Sequence, residues 1–310
     1  MKALKQYIRE SFKIGRNKMV NYNYFPETKK ELIGIIIDLL KERGPDANLN
    51  DIDTSKITDM DSLFQNINYD VDLENPNISN WNVSNVQDMQ WMFVNCRKFN
   101  GDLSKWDVSQ VKNMDYMFNK CKSFEGKGLE NWNTSNVKTM IRMFGSCENF
   151  NADLSNWDVS NVEKMQNMFF ECHVFNCDLS KWKLNKKLDN LTLMFGQCWK
   201  FNSDLSGWDV SNIKIMDRMF CKCENFEGIG LENWDTKNVY DMGRMFSQCN
   251  VFNGNIENWN VENVTLMSYM FEFCKNFNRN LDKWKLNEKC TPRNPFYKCD
   301  NLKTRPYWLK

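Results

Sequence analysis

A pattern of 25 or 26 residues returns from about residue 52 to the end of the chain. It is clearest at residues 103 to 118, Leu-Ser-Lys-Trp-Asp-Val-Ser-Gln-Val-Lys-Asn-Met-Asp-Tyr-Met-Phe, followed by Cys121 and Phe124. Fixed self-similarity at 20–50 residues marks an array of units, each too small to bury its own apolar face. At 310 residues, a non-repetitive chain would suggest about two domains. An array grows by adding units and need not split.

The strong residues fall into columns. Tryptophan occupies one position in nine units: Trp81, Trp106, Trp132, Trp157, Trp182, Trp208, Trp234, Trp259 and Trp284. Eight residues after most of them comes methionine, as at Met89, Met114 and Met140. A Met-Phe pair follows, from Met92-Phe93 to Met270-Phe271, then Cys three residues on and Phe three beyond that. The first unit is degenerate, with Ile52 at the tryptophan position and Ile67 at the cysteine position.

Two periodicities alternate within a unit. Trp106 and Val108 are two apart, as on a strand with both side chains inward. With Leu103 they give Leu-x-x-Trp-x-Val, the spacing of a leucine-rich-repeat strand. Met114, Met117, Phe118 and Cys121 are spaced three and four apart, as on one face of a short helix. Ser109 marks a corner between them, where a short polar side chain can bond local backbone. The expected fold is therefore α/β: a leucine-rich-repeat-like solenoid of about ten strand-helix rungs of 25–26 residues.

The ends differ from the repeat. Residues 1–27 form a basic amphipathic start and a Tyr/Pro linker. Thr28 and Glu31 fit a capping box. Leu32, Ile33, Ile36, Ile37 and Leu40 recur at helical spacing, and Gly44-Pro45 stops the run. This predicts a helical N-terminal cap, so the chain divides into a basic segment and capping helix (1–50), a repeat array (51–284), and a last rung with C-terminal cap (285–310). Pro292 and Pro295 would disrupt a further regular helix. A longer period is superimposed, since Phe124-Glu-Gly-Lys-Gly-Leu-Glu-Asn-Trp132 returns as Phe226-Glu-Gly-Ile-Gly-Leu-Glu-Asn-Trp234. The offset is four rungs, and each copy carries a one-residue insertion that should bulge a return loop.

Composition narrows the function classes. With 41 basic and 40 acidic residues the net charge is +1, so no global field favours nucleic acid or an anionic membrane. The longest apolar run, Leu32 to Leu40, falls far below the ~20 residues needed to span a bilayer. Neither a secretory h-region nor a lipobox-like cysteine stands near the start. The expected compartment is the cytoplasm as synthesised, with association to a virion as a further option. Nine of the twelve cysteines share one register, from Cys96 to Cys299. One cysteine per rung behaves as a small buried hydrophobe, and an odd column cannot pair completely. Cys221-x-Cys223 is the one close pair, a weak basis for zinc.

The unit Phe-Asn-x-Asp-Leu-Ser-x-Trp-Asp-Val-Ser-Asn-Val-x-x-Met-x-x-Met-Phe-x-x-Cys, nearly complete at 150–172, resembles the BspA-like leucine-rich repeats. In particular it is similar to the domain-of-unknown-function repeats of mycoplasma surface lipoproteins, which have relatives in other bacteria and in viruses. The resemblance covers roughly residues 52–303. It implies a leucine-rich-repeat-type solenoid, a role in surface adhesion or protein binding, and no catalytic residues. The absence of a signal peptide and lipid anchor departs from the lipoprotein pattern.

Catalysis finds little to work with. His173 is the single histidine and follows Cys172, but neighbours on a short helix point apart, which a Cys/His nucleophile pair cannot use. Gly126-Lys127-Gly128 lacks the spacing of a phosphate loop. The residues beside each tryptophan are left as the candidate binding face. Those after it should point outward: Asn82, Asp107, Asn133, Asp158, Lys183, Asp209, Asp235, Asn260 and Lys285, with Lys105 before Trp106. At ~4.8 Å per strand they would form a polar stripe roughly 40 Å long. It either keeps the strand face soluble or binds protein or glycan. Of Asp107, Asp158, Asp209 and Asp235 only the last two lie on adjacent rungs, whereas calcium needs several converging oxygens. No cofactor or metal is expected. The reading is a non-enzymatic binding scaffold, or alternatively a structural, virion-associated protein that docks through its N-terminal segment.

Overall fold

The computed structural model describes residues 21–70 and 73–309. The basic start expected over residues 1–20 lies outside them. Helix α1 spans Lys29–Arg43. The Thr28 hydroxyl accepts from the Glu31 N–H at 3.2 Å, and the Glu31 carboxylate accepts from the Glu27 N–H at 2.7 Å. Gly44, at φ 92°, ends the helix. Its buried face (Leu32, Ile36, Leu39, Leu40) joins one continuous core with Ile52, Met60 and Phe64. Helix α2, Leu63–Asp70, packs against α1 and stacks Phe64 on Phe93 at 5.0 Å.

The strand-helix rung is not what forms. Beyond α1 and α2, the described residues contain one 3-10 turn, Leu129–Asn131, and isolated parallel bridges such as Asp88 to Asn113 and Asn113 to Thr139. Leu103–Val108 is not a strand, and Met114–Cys121 is not a helix. Each rung is instead a chain of tight turns. Trp106 N–H donates to the Leu103 carbonyl, Val111 to Val108, Met117 to Met114, Cys121 to Phe118 and Phe124 to Cys121, at 2.9 to 3.2 Å. Apolar residues three apart stand at the two ends of a turn, so a spacing that suits one helical face also suits a run of turns.

Hydrogen bonding explains why no helix propagates. A helix would send the Phe118 N–H four residues back, to Met114. It donates to Met143 of the next rung instead, at 2.9 Å. Tyr116 and Lys120 do the same, to Ile141 and Gly145, both at 2.7 Å. The intervening N–H groups of Met117 and Asn119 close turns within the rung. Alternate residues thus bond between rungs and within them, and the backbone polar groups are satisfied without regular secondary structure. Tyr116 and Lys120 sit at φ 57° and 65°, the left-handed region that interrupts an α-helix.

Stacking then buries the apolar columns. Phe118 lies on Phe144 at 5.7 Å with planes 1° apart, and on Phe124 of its own rung at 4.2 Å. Trp106 lies on Trp132 at 6.4 Å. The tryptophans of the column are buried, yet each of their indole N–H groups keeps a partner, the carbonyl at the Leu position of the preceding rung: Trp157 to Leu129 at 2.8 Å, Trp182 to Leu154 at 3.0 Å. The columns continue past Trp284, with Phe296 on Phe271 at 5.3 Å and Trp308 on Trp284 at 6.2 Å.

Candidate functional site

The polar residues that repeat are absorbed by the scaffold. Asn100, Asn151, Asn176, Asn202, Asn253 and Asn278 each accept, through Oδ1, a backbone N–H of the next rung at 2.8 to 3.1 Å. At the Ser-Asn corner, Asn136 and Asn161 donate to the Ser109 and Ser135 carbonyls of the rung before, at 2.7 and 2.8 Å. The cysteine column is a ladder too. The thiols of Cys121, Cys147, Cys172 and Cys198 donate to Phe93, Phe118, Phe144 and Phe169 carbonyls one rung back, at 2.9 to 3.0 Å. All twelve cysteines are free thiols, and burial pushes those of the column up.

All ten residues expected to bind are exposed: Asn82, Lys105, Asp107, Asn133, Asp158, Lys183, Asp209, Asp235, Asn260 and Lys285. They occupy turn corners, since the described residues form no strand face. Their oxygens are partly engaged. Asp107, Asp158 and Asp209 accept the N–H two residues on (Ser109, Ser160, Ser211) at 2.9 to 3.0 Å, and Asn82, Asn133, Asp235 and Asn260 do likewise at 3.0 to 3.2 Å. The Ser211 hydrogen bonds hold the Asp209 carboxyl below its ordinary range. Lys105 reaches Asn80 one rung back at 2.5 Å, Lys183 reaches the Gly207 carbonyl at 3.4 Å, and Asp235 pairs with Lys237 at 2.9 Å. Asp209 and Asp235 gather no third carboxylate. Among the described residues, no three His, Cys, Asp or Glu side chains are placed to hold a metal ion.

A second surface was hidden in the unfixed positions of Met-x-x-Met-Phe-x-x-Cys. Two residues after the first Met of the motif, or after Leu191 in its place, stand Trp91, Tyr116, Arg142, Asn167, Leu193, Arg218, Arg244 and Tyr269, at φ 50° to 59°. Two after each Phe stand Asn95, Lys120, Ser146, Glu171, Gln197, Lys222, Gln248, Phe273 and Lys298, at φ 56° to 65°. None is glycine, although a left-handed backbone costs other residues roughly 1–2 kcal/mol each. Apart from the buried Ser146, these residues form the outer face of the inter-rung ladder.

That face is ordered by pairs across rungs. Trp91 meets Tyr116 edge-on at 6.2 Å. The Arg142 guanidinium lies 5.2 Å over Phe170 and its Nε donates to Asn119 at 3.0 Å. Arg244 lies 4.7 Å over Tyr269. Lys298 sits over Phe273 at 5.2 Å. Beside them Asp115 accepts from Thr139 Oγ1 at 2.5 Å and Ile141 N–H at 2.7 Å, while burial raises its carboxyl above the ordinary range. The signal in the sequence was the mixture of Trp, Tyr, Arg, Leu and Lys at positions that carry no repeat identity.

Cys172 and His173 diverge, as adjacent residues on a turn must. The thiol points inward to Phe144, and the imidazole stacks on Trp199 at 3.7 Å with planes 4° apart.

Fold and surface together define a repeat protein: stacked turns around aromatic ladders, with the repeat identity held mainly by inward positions. The chain belongs to the family described as "Mycoplasma protein of unknown function, DUF285", which it matches over residues 40–128, 106–195 and 189–308. No curated protein matches it. Among solved structures it is similar to the TLR13–ssRNA13 complex, at 12% identity over 89% of this chain and 51% of that one, with a TM-score of 0.21. It thus spans about half the length of that chain. An internalin (inlF) from Listeria monocytogenes str. 4b F2365 is 11% identical over 81% of this chain and 71% of its own, with a TM-score of 0.23. Similarities of this size carry no further argument.

Proposed function

We propose that this protein is a binding scaffold without chemistry of its own, and that it recognises a protein through the outer face of the turn ladder. The observation that carries the reading is the set of large side chains held at left-handed positions. Trp91, Tyr116, Arg142, Arg244 and Tyr269 occupy backbone where glycine would be less strained. The angle itself recurs in every rung as part of the ladder, so it is the choice of large side chains at these sites that supports the reading. Trp, Tyr and Arg are also the residues that dominate protein interfaces, because they combine large contact area with a polar tip. The cation–π pairs hold two of the arginines before any partner arrives, which lowers the entropy lost on docking.

The column beside the tryptophans is the alternative recognition surface for protein or glycan. Its Asp107, Asp158 and Asp209 each keep a second carboxylate oxygen outside the turn. The likeness to BspA-like repeats, on which an adhesion role would rest, is carried by the motif alone. No helix among the described residues is long and apolar enough to cross a membrane.

The test is affinity capture from the source cells with the intact chain and two variants. Arg142→Ala/Arg244→Ala/Tyr269→Ala should lose the retained protein. Asp107→Asn/Asp158→Asn/Asp209→Asn, which keeps the corner hydrogen bonds, should retain it. Equal capture by the first variant contradicts the assignment of the face. Loss of the partner on nuclease treatment would point to nucleic acid instead of protein.

A further inference from the structure

On the outer face of the turn ladder the acids are engaged and two arginines are not. Each carboxylate beside those arginines already accepts a hydrogen bond from the chain. Asp115 holds Thr139 and Ile141, and Glu171 accepts from the Ser146 hydroxyl at 2.6 Å and from Gln197 Nε2 at 3.2 Å. Asp217 pairs with Arg218 at 2.7 Å, Asp241 accepts the Gly243 N–H at 2.9 Å, and Glu272 accepts the Ser247 hydroxyl at 3.0 Å. Arg142 and Arg244 are left over. Among the described residues neither is paired with a carboxylate. Arg142 uses only Nε, on Asn119, and the Arg244 guanidinium donates to no acceptor among the described residues.

Both guanidinium groups are nevertheless held in place. They lie over Phe170 and Tyr269, at 5.2 and 4.7 Å. A guanidinium carries its N–H donors in a rigid planar fork, and contact with a ring leaves that fork available to an acceptor. Arg244 also stands in a positive neighbourhood. Burial pushes the Cys221 thiol up, and Lys222, Arg218 and Arg244 oppose that push. Cations from two adjacent rungs therefore act on one point of the face. Lys222, like Arg244, has no carboxylate partner among the described residues.

We propose that Arg142 and Arg244 are carboxylate receptors, and that the partner docks acidic side chains of a polypeptide on them. This rests on the reading of the outer face as the protein-docking surface, and it names the chemistry of what docks. A guanidinium fork takes a carboxylate in two parallel hydrogen bonds, and charge makes each roughly twice as strong as a neutral one. Phe170 and Tyr269 already restrain the forks, so less freedom is lost when the carboxylates arrive. A nucleic acid fits less well. In the same column, the positions between the two arginines hold Asn167 and Leu193, and Arg218 is taken by Asp217. Two separated forks are not the continuous cationic groove that tracks a phosphodiester chain. The rings on which a base would stack already carry the arginines.

The test uses the full chain, labelled with nitrogen-15, and a dodecaglutamate peptide as the acidic probe. The arginine Nε–Hε signals are followed by NMR and assigned by single Arg→Lys substitutions. Those of Arg142 and Arg244 should shift on titration, while those of Arg97 and Arg305, exposed elsewhere, should not. Arg142→Lys/Arg244→Lys keeps the net charge but removes the forks. It should weaken the peptide at least tenfold while thermal melting shows a folded chain. A thymidine dodecanucleotide should bind more weakly than the peptide. No shift at millimolar peptide, an equal response at Arg97 and Arg305, unchanged affinity in the lysine variant, or tighter binding of the oligonucleotide overturns the proposal. A protein captured through this face, with no response to dodecaglutamate, overturns the preference for acids and leaves the docking surface standing, so the two readings fail separately.

Discussion

The Cys172 thiol donates to the Phe144 carbonyl one rung back, at 3.0 Å, and that carbonyl also closes the turn to the Cys147 N–H at 3.0 Å. One oxygen therefore ties a turn to its neighbour, and the same geometry recurs along the cysteine column. A thiol in this position must stay protonated to do so.

This predicts instability in mild alkali. Burial pushes Cys121, Cys147, Cys172, Cys198, Cys223, Cys249 and Cys274 above the ordinary thiol range. Their folded pKa values are raised, so the folded chain binds more protons than the unfolded one. The contribution is fully present below about pH 8.5, the unfolded thiol value, and is lost as pH rises from there toward the folded values. Each thiol should remove about 1.4 kcal/mol per pH unit above pH 8.5. Denaturant melts from pH 8 to 10 should show the slope, and Cys147→Ala/Cys172→Ala/Cys198→Ala, which removes three of these seven thiols, should make it shallower.

The indole ladder should be felt one bond at a time. Trp157→Phe keeps an aromatic ring in the stack but removes the donor to Leu129 and leaves a small void. The expected loss is about 2 kcal/mol, read from chemical denaturation. A loss below about 0.5 kcal/mol would show that the indole N–H contributes nothing there.

The left-handed positions predict an unusual stabilising substitution. Lys120 is exposed at φ 65°, and no hydrogen bond is made by its ammonium. Lys120→Gly should raise stability by about 0.5–1 kcal/mol, because relief of the backbone exceeds the added freedom of the unfolded glycine. Lys120→Val should lower it. Thermal melts of the two variants would decide the sign.

The inserted loops predict the opposite response. Gly128 and Gly230, at φ 92° and 83°, press against the previous rung, where an added Cβ would stand 2.2 Å from the Ser104 and Ser206 backbone nitrogens. These loops also supply the Lys127 and Ile229 carbonyls that accept the Leu103 and Leu205 N–H groups. Gly128→Ala should therefore cost about 3 kcal/mol or more. Equal melting of variant and parent would show that the approach is not close.

The unit length, the inward columns and the cap helix were legible in the sequence because burial leaves a periodic trace. Leu103, Trp106, Val108, Met114, Met117, Phe118 and Cys121 are all buried. The conformation between them was not legible. An apolar residue every third position fits a helix face and a chain of turns equally well, and the choice is made by where Tyr116, Phe118 and Lys120 send their N–H groups, across a rung boundary that periodicity does not encode. The same gap hid the outer face. On a helix, Tyr116 and Lys120 would be ordinary solvent positions; on the ladder they are strained and lie in register with Arg142 and Ser146. Asp107 was correctly seen as outward-facing, but its turn with Ser109 could be known only from the corner geometry.

The backbone angle at Tyr116 and Lys120 tests the turn-built rung most directly. Heteronuclear couplings measured on the folded chain in solution report the sign of φ at both residues. Stacked turns require positive φ at each, near 57° and 65°. Negative φ at both, with the Phe118 amide bonded back to Met114, would restore a helix to that rung and contradict the account.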